Sequence, residues 1–268
     1  DLHLRPASSI TSSERTKPGP ESSKIPLTFS YMSSNDGTDE NLLVLLHGLG
    51  DTHAPFAELG RSLNLPQTAI LSLRAPEQIP FLDEQAYQWY TSFDPLGDLI
   101  DRPNPTPALQ VISTVLIHLT ADCGWPSHRI HMFGFAQGGS VAAESALAWW
   151  KRELATLKER QKTQDEPPRP LGSVTTISGP LLSYPTLETP CPTPLLIFHR
   201  SSLPKGTFTA FLKAFTRVRE VAKSRDASSQ ESMPRSKDEW EPVMRFWSEV
   251  LGRRMGDGLY EVMTGAGQ

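Results

Sequence analysis

Residues 129–150 read RIHMFGFAQGGSVAAESALAWW, and this stretch constrains the fold more than any other. RIHMFGF is a short apolar run of strand length, and SVAAESALAWW is alanine-rich and helical in character. Between them lies little more than Gly134-Phe135-Ala136-Gln137-Gly138-Gly139. A strand that turns into a helix so abruptly brings the two elements into close contact. Side chains at 134 or 138 would strike the neighbouring strand and helix, so glycine is required there.

The rest of the chain supplies partners for such a unit. Leu42–Leu46 (LLVLL) is continuously apolar and ends in His47-Gly48-Leu49-Gly50, the pattern of a central parallel strand buried on both faces. TAILSLRAP (68–76), LGSVTTISG (171–179) and PLLIFH (194–199) read as further buried strands, and IPLTFSYM (25–32) as an edge strand. Helical spacing is predicted over 54–63, over 105–122 with its proline entry, and over 238–255. In the last, Trp240, Val243, Met244, Trp247 and Leu251 share one face, which packs on a sheet or meets a partner. Strands alternating with helices predict an α/β protein with a mostly parallel central sheet and helices on both faces.

Residues 1–24, rich in Ser, Pro and charge, are expected to form a flexible N-terminal tail, and 25–268 a single domain. Polar inserts interrupt it at about 151–170, a helix extended into solvent and then a proline-rich loop, and at 223–237. The net charge of −4 gives no electrostatic case for nucleic acid or an anionic membrane. No apolar run reaches the roughly 18 residues of a membrane span. Two cysteines, Cys123 and Cys191, make no disulfide framework and suit a reducing compartment, so a cytoplasmic location is expected. Zinc-type spacings, paired carboxylates and phosphate-cradling glycine loops are absent from the sequence, so no metal or other cofactor is expected.

The segment at 134–138 has the layout of the nucleophile elbow G-x-S-x-G, but its centre is Ala136. In that layout the central residue sits above the sheet at a helix N-terminus, where the backbone N–H of Gln137 can face an oxyanion. Together with LLVLLHGLGD (42–51), Arg74-Ala75-Pro76, Trp89-Tyr90 or Phe93-Asp94, and the Gly134–Gly139 segment, the sequence resembles the phospholipase/carboxylesterase family of α/β-hydrolases, which includes the acyl-protein thioesterases. The resemblance is clear over 41–148 and weakens from 180 onward.

The resemblance implies an α/β-hydrolase fold, with oxyanion-binding N–H groups at Leu49 and Gln137 and a pocket bordered by His47, Gly48 and Trp89. His47 is read as structural rather than as a base. It also implies an acid after the strand that ends at His199, where Arg200-Ser201-Ser202-Leu203-Pro204 holds no carboxylate and Ser201 marks the vacant position. The family's histidine follows a final strand. Leu259–Met263 reads as that strand, and Gly265 or Thr264 falls where the base belongs. Ser140, one turn past the elbow, is read as a packing residue, and His53, His118, His128 and His131 as structural. The expectation is a pseudo-hydrolase that binds an acyl chain or ester-like molecule in a residual pocket, or docks a protein partner. The alternatives are an active carboxylesterase or thioesterase carrying a serine-to-alanine change at 136, and a receptor that uses the oxyanion-binding groups to hold a carboxylate or ester.

Overall fold

A computed structural model of the chain describes residues 15–80, 85–160, 167–184, 186–200, 206–223 and 232–254. The strands are β1 (Phe29–Met32), β2 (Asn41–Leu46), β3 (Thr68–Leu73), β4 (Glu77–Gln78), β5 (Tyr87–Gln88), β6 (Ile130–Phe135), β7 (Ser173–Ile177), β8 (Leu195–His199) and β9 (Val218–Ala222). The helices are α1 (His53–Leu63), α2 (Thr106–Ala121), α3 (Gln137–Arg160), α4 (Thr207–Ala214) and α5 (Lys237–Val250). Seven strands form one sheet in the order β1-β3-β2-β6-β7-β8-β9, and β4 and β5 form a separate small hairpin. Only β1 runs antiparallel in the large sheet, against β3.

Alternation along the strands divides the apolar residues between two cores. Leu42, Val44 and Leu46 of β2 join Met132, Val174 and Ile197 under α2, α3 and α4. Leu43 and Leu45 join Phe133, Leu196 and Phe198 against Phe56 of α1 and Val243, Phe246 and Trp247 of α5. Every residue of β2, β3, β7 and β8 is buried, as two covered faces require. The apolar face of α5 is therefore spent on the sheet: Val243 and Trp247 are buried, and Trp247 packs against Phe133 with ring centroids 5.8 Å apart. Met244 lies at its margin and stays partly exposed. No helix among the described residues is long and apolar enough to cross a membrane.

Residues 15–24 lie against the body: Arg15 N–H donates to Gly37 O, Lys17 N–H to Asp39 Oδ2 and Lys17 Nζ to Gly124 O. Backbone donors meeting acceptors far along the chain hold this stretch, which composition cannot register. Among the described residues the far edge of the sheet is β9, with α5 following it; the strand read over 259–263 lies outside the described residues. Of the inserts, α3 carries the helix to Arg160, and Arg169 O then accepts from Trp149 Nε1, which draws the proline-rich end back onto the helix.

Candidate active site

The elbow forms where β6 meets α3. Ala136 has φ of 48°, in the left-handed region where a residue with a Cβ is strained by about 1–2 kcal/mol. Its N–H donates to Ile177 O at 2.8 Å, and its carbonyl accepts from Ser140 N at 3.1 Å, so the strained turn is held from both sides. A Cβ on Gly134 would lie 2.1 Å from Gly138 O, and one on Gly138 would lie 2.3 Å from Leu46 O. These contacts explain the glycines of the motif: the helix backbone touches both its own strand and the end of β2.

Against this turn lies the loop that leaves β2. A Cβ on Gly48 would meet the Phe135 ring at 2.8 Å, and Gly50, at φ 81°, donates its N–H to Tyr87 O. Leu49 is partly exposed beside the elbow, and among the described residues its N–H meets no backbone acceptor. Gln137 is the first residue of α3, so its N–H lacks an intrahelical acceptor. Both expected oxyanion donors thus belong to segments that adjoin at the carboxyl ends of β2 and β6.

His47, Gly48 and Trp89, expected to border a pocket, are buried beside the elbow, and His47 and Trp89 are 0% exposed. Ala75 N–H donates to His47 Nε2 at 2.9 Å, which fixes the proton on Nδ1, and Nδ1 lies 2.7 Å from Gly48 O. Both ring nitrogens are occupied, and burial lowers the imidazole's pKa, so His47 is a neutral strut. The Trp89 indole N–H donates to His47 O at 2.8 Å, which locks the two loops together.

The Gln137 side chain does more than its backbone role suggested. Its Oε1 accepts from Trp89 N at 2.9 Å, while Nε2 donates to Tyr90 O at 2.9 Å and to Ser92 Oγ at 2.7 Å. It therefore clamps the 89–92 segment over the elbow. The sequence offered one signal for this, a glutamine rather than a small residue at the start of a buried helix.

Other candidates are sealed, distant or outside the described residues. Ser140 is fully buried in the helix–sheet interface. His199 ends β8, two strands from β6 and so about 10 Å across the sheet. Its Nε2 pairs at 2.8 Å with Glu220 Oε1 on β9, the side of β8 away from the elbow. Ser201 and Gly265 lie outside the described residues. His118 of α2 pairs with Asp122 just beyond that helix, and His131 is wholly buried on β6.

Comparison with known proteins agrees with this geometry. Residues 28–156 match the family model described as Phospholipase/Carboxylesterase, the span that contains the β2 loop and the elbow. An uncharacterized hydrolase of Mycosarcoma maydis is 36% identical over 233 residues, covering 85% of this chain and 82% of that protein. The chain belongs to the phospholipase/carboxylesterase family. A second relative of this hydrolase family member, an uncharacterized hydrolase of Schizosaccharomyces pombe, is 34% identical over 117 residues, covering 41% of this chain and 48% of its own. Among solved structures, esterase PE8 superposes with a TM-score of 0.64 at 20% identity, covering 84% of this chain and 99% of its own. Zea mays acyl-protein thioesterase 2 superposes with a TM-score of 0.57 at 20% identity, with the same coverage. These two likenesses establish the α/β-hydrolase fold.

Proposed function

We propose that this family member is a pseudo-hydrolase: it keeps the hydrolase scaffold and the backbone donors at Leu49 and Gln137, and binds an ester-like or carboxylate-bearing acyl molecule without cleaving it. The observation that carries this is Ala136 itself. It occupies the strained elbow at φ 48°, where the scaffold presents its nucleophile, and a methyl group can neither attack a carbonyl nor form an acyl-enzyme. Ser140, one turn along the helix, gives no substitute, because it is sealed in the core. The partners of a nucleophile are missing from the sequence as well. No carboxylate occurs between His199 and Gly206, where the acid belongs. The family's base follows a final strand, and the sequence has no histidine at Gly265 and none between Ala222 and Lys237, after the last strand among the described residues.

The test is to treat this chain and its Ala136→Ser variant with a fluorophosphonate probe and a medium-chain p-nitrophenyl ester. Neither protein is expected to be labelled or to release p-nitrophenol above the solvent rate, since a serine without a base is not activated. Strong labelling of the Ala136→Ser chain would overturn the reading and make Ala136 the single missing group of an active ester or thioester hydrolase.

A further inference from the structure

The last turn of α2 and the two residues that follow it carry three side chains that the elbow does not use. His118 Nδ1 lies 2.6 Å from Asp122 Oδ2. Its Nε2 lies 3.1 Å from the backbone nitrogen of Glu21 and 3.6 Å from Cys123 Sγ. A backbone N–H can only donate, so Nε2 bears the lone pair and Nδ1 donates its proton to Asp122. In this tautomer an imidazole can accept a thiol proton while a carboxylate supports its other side. The cluster sits near the start of β6, at the opposite end of that strand from the elbow.

A single lone pair on Nε2 faces two donors. If it took the thiol proton, the new N–H would point at the Glu21 N–H, donor against donor. The thiolate–imidazolium pair and the docked Glu21 therefore exclude one another. Glu21 belongs to a strap whose other ties are those of Arg15 and Lys17, together with Ile25, which is buried in the same apolar cluster as Cys123. With the strap in place, burial and then the charges of Asp122 and Glu21 push the Cys123 thiol up from its ordinary range.

We propose that Cys123 is a modification site for hydrogen peroxide and other small soft electrophiles, with His118 as its base and Asp122 as the carboxylate orienting that base, and that docking of residues 15–25 holds it inactive. When Glu21 withdraws, the Sγ proton passes to His118 Nε2. The thiolate sulfur attacks one peroxide oxygen, forming an S–O bond as the O–O bond breaks. The departing hydroxide takes the proton from Nε2 and leaves as water. Sulfur loses two electrons to the peroxide and becomes a sulfenic acid, and neutral His118 is restored.

The test uses the full chain, alkylated with iodoacetamide and mapped by peptide mass spectrometry so that Cys123 and Cys191 are read separately. Glu21→Pro removes the N–H that engages His118 together with the carboxylate charge near Cys123, and Glu21→Gln, which removes the charge alone, is expected to stay within about threefold of the parent rate. Glu21→Pro is expected to raise the Cys123 alkylation rate by about tenfold or more, the range over which thiolate fraction governs reactivity. Adding Asp122→Asn, at a half-exposed position, is expected to return the rate close to that of the parent chain. Cys191 stays unlabelled in every variant, and peroxide adds one dimedone-trappable oxygen at Cys123 of Glu21→Pro alone. Lys17→Ala loosens the strap from its surface and must shift the rate in the same direction, which keeps the test decisive if Glu21→Pro folds poorly. Parent-like rates in both strap variants, or a fast rate that survives Asp122→Asn, would overturn the proposal; in the second case the thiol is merely uncovered.

Discussion

Replacing Gln137 by alanine tests how far the elbow and the segment above it depend on one side chain. Gln137 is 6% exposed and engages Trp89 N, Tyr90 O and Ser92 Oγ. Truncation strands the Trp89 N–H in a buried place, which costs about 1–3 kcal/mol, and removes two further hydrogen bonds whose net worth is about 1 kcal/mol between them once water reaches Ser92. The expected loss is about 2–4 kcal/mol. For a chain of 268 residues the unfolding entropy is about 0.6 kcal/mol per kelvin, so Tm falls by about 4–7 °C. Differential scanning calorimetry reads the stability, and hydrogen exchange reads the mechanism: the Trp89 amide loses protection while amides in β7 and β8 keep theirs relative to the new global stability. Ser92→Ala, which removes one partner only, should cost about 1 kcal/mol. A Tm change under about 1 °C for Gln137→Ala, with Trp89 still protected, would refute the clamp and leave the 89–92 segment to its other ties, Trp89 to His47 O and Ile100 N–H to Ser92 O.

Two further outcomes follow from the same geometry. Gly138→Ala is expected to cost at least about 3 kcal/mol or to prevent folding, because its Cβ would lie 2.3 Å from Leu46 O and 2.5 Å from His47 O, both backbone atoms. Gly50→Ala should cost only about 1 kcal/mol, since its φ of 81° is strained but nothing lies within 4 Å; equal losses for the two by urea denaturation would refute the close-packing argument. His131 is held neutral by burial, with its pKa pushed down to about 3. The unfolded chain binds its proton at about pH 6.5, so the contribution is complete above that pH. It is lost on acidification toward pH 3 by up to about 1.4 kcal/mol per unit, and a pH series of urea midpoints should show this slope reduced in His131→Gln.

Much of the fold was legible because of how a parallel sheet is buried. LLVLL, TAILSL and LLIF are continuous apolar runs since both their faces are covered, and each emerged as a central strand. The elbow was legible because its glycines are demanded by local crossing geometry, and Ala136 could be placed at its centre before any distance was known. The strand β9 was not legible. Val218–Ala222 reads VREVA, with two charged residues breaking a short apolar run, because this strand lies at the edge of the sheet among the described residues and is covered on few sides. Helix α4, eight residues long, gave too short a period to stand out.

What the sequence determined by itself is therefore the layered α/β scaffold, its family and the absence of a hydroxyl at residue 136, all of which rest on neighbours in sequence or on residue identity. What only the tertiary structure decided are the contacts between distant segments. Gln137 clamps residues 89–92 across 45 to 48 positions, and Glu21 meets His118 across 97. His47 is made a neutral strut by Ala75, 28 residues away. Such bonds depend on where the chain has been carried by its cores, and a donor or acceptor carries no mark in sequence of the partner it will find after that burial.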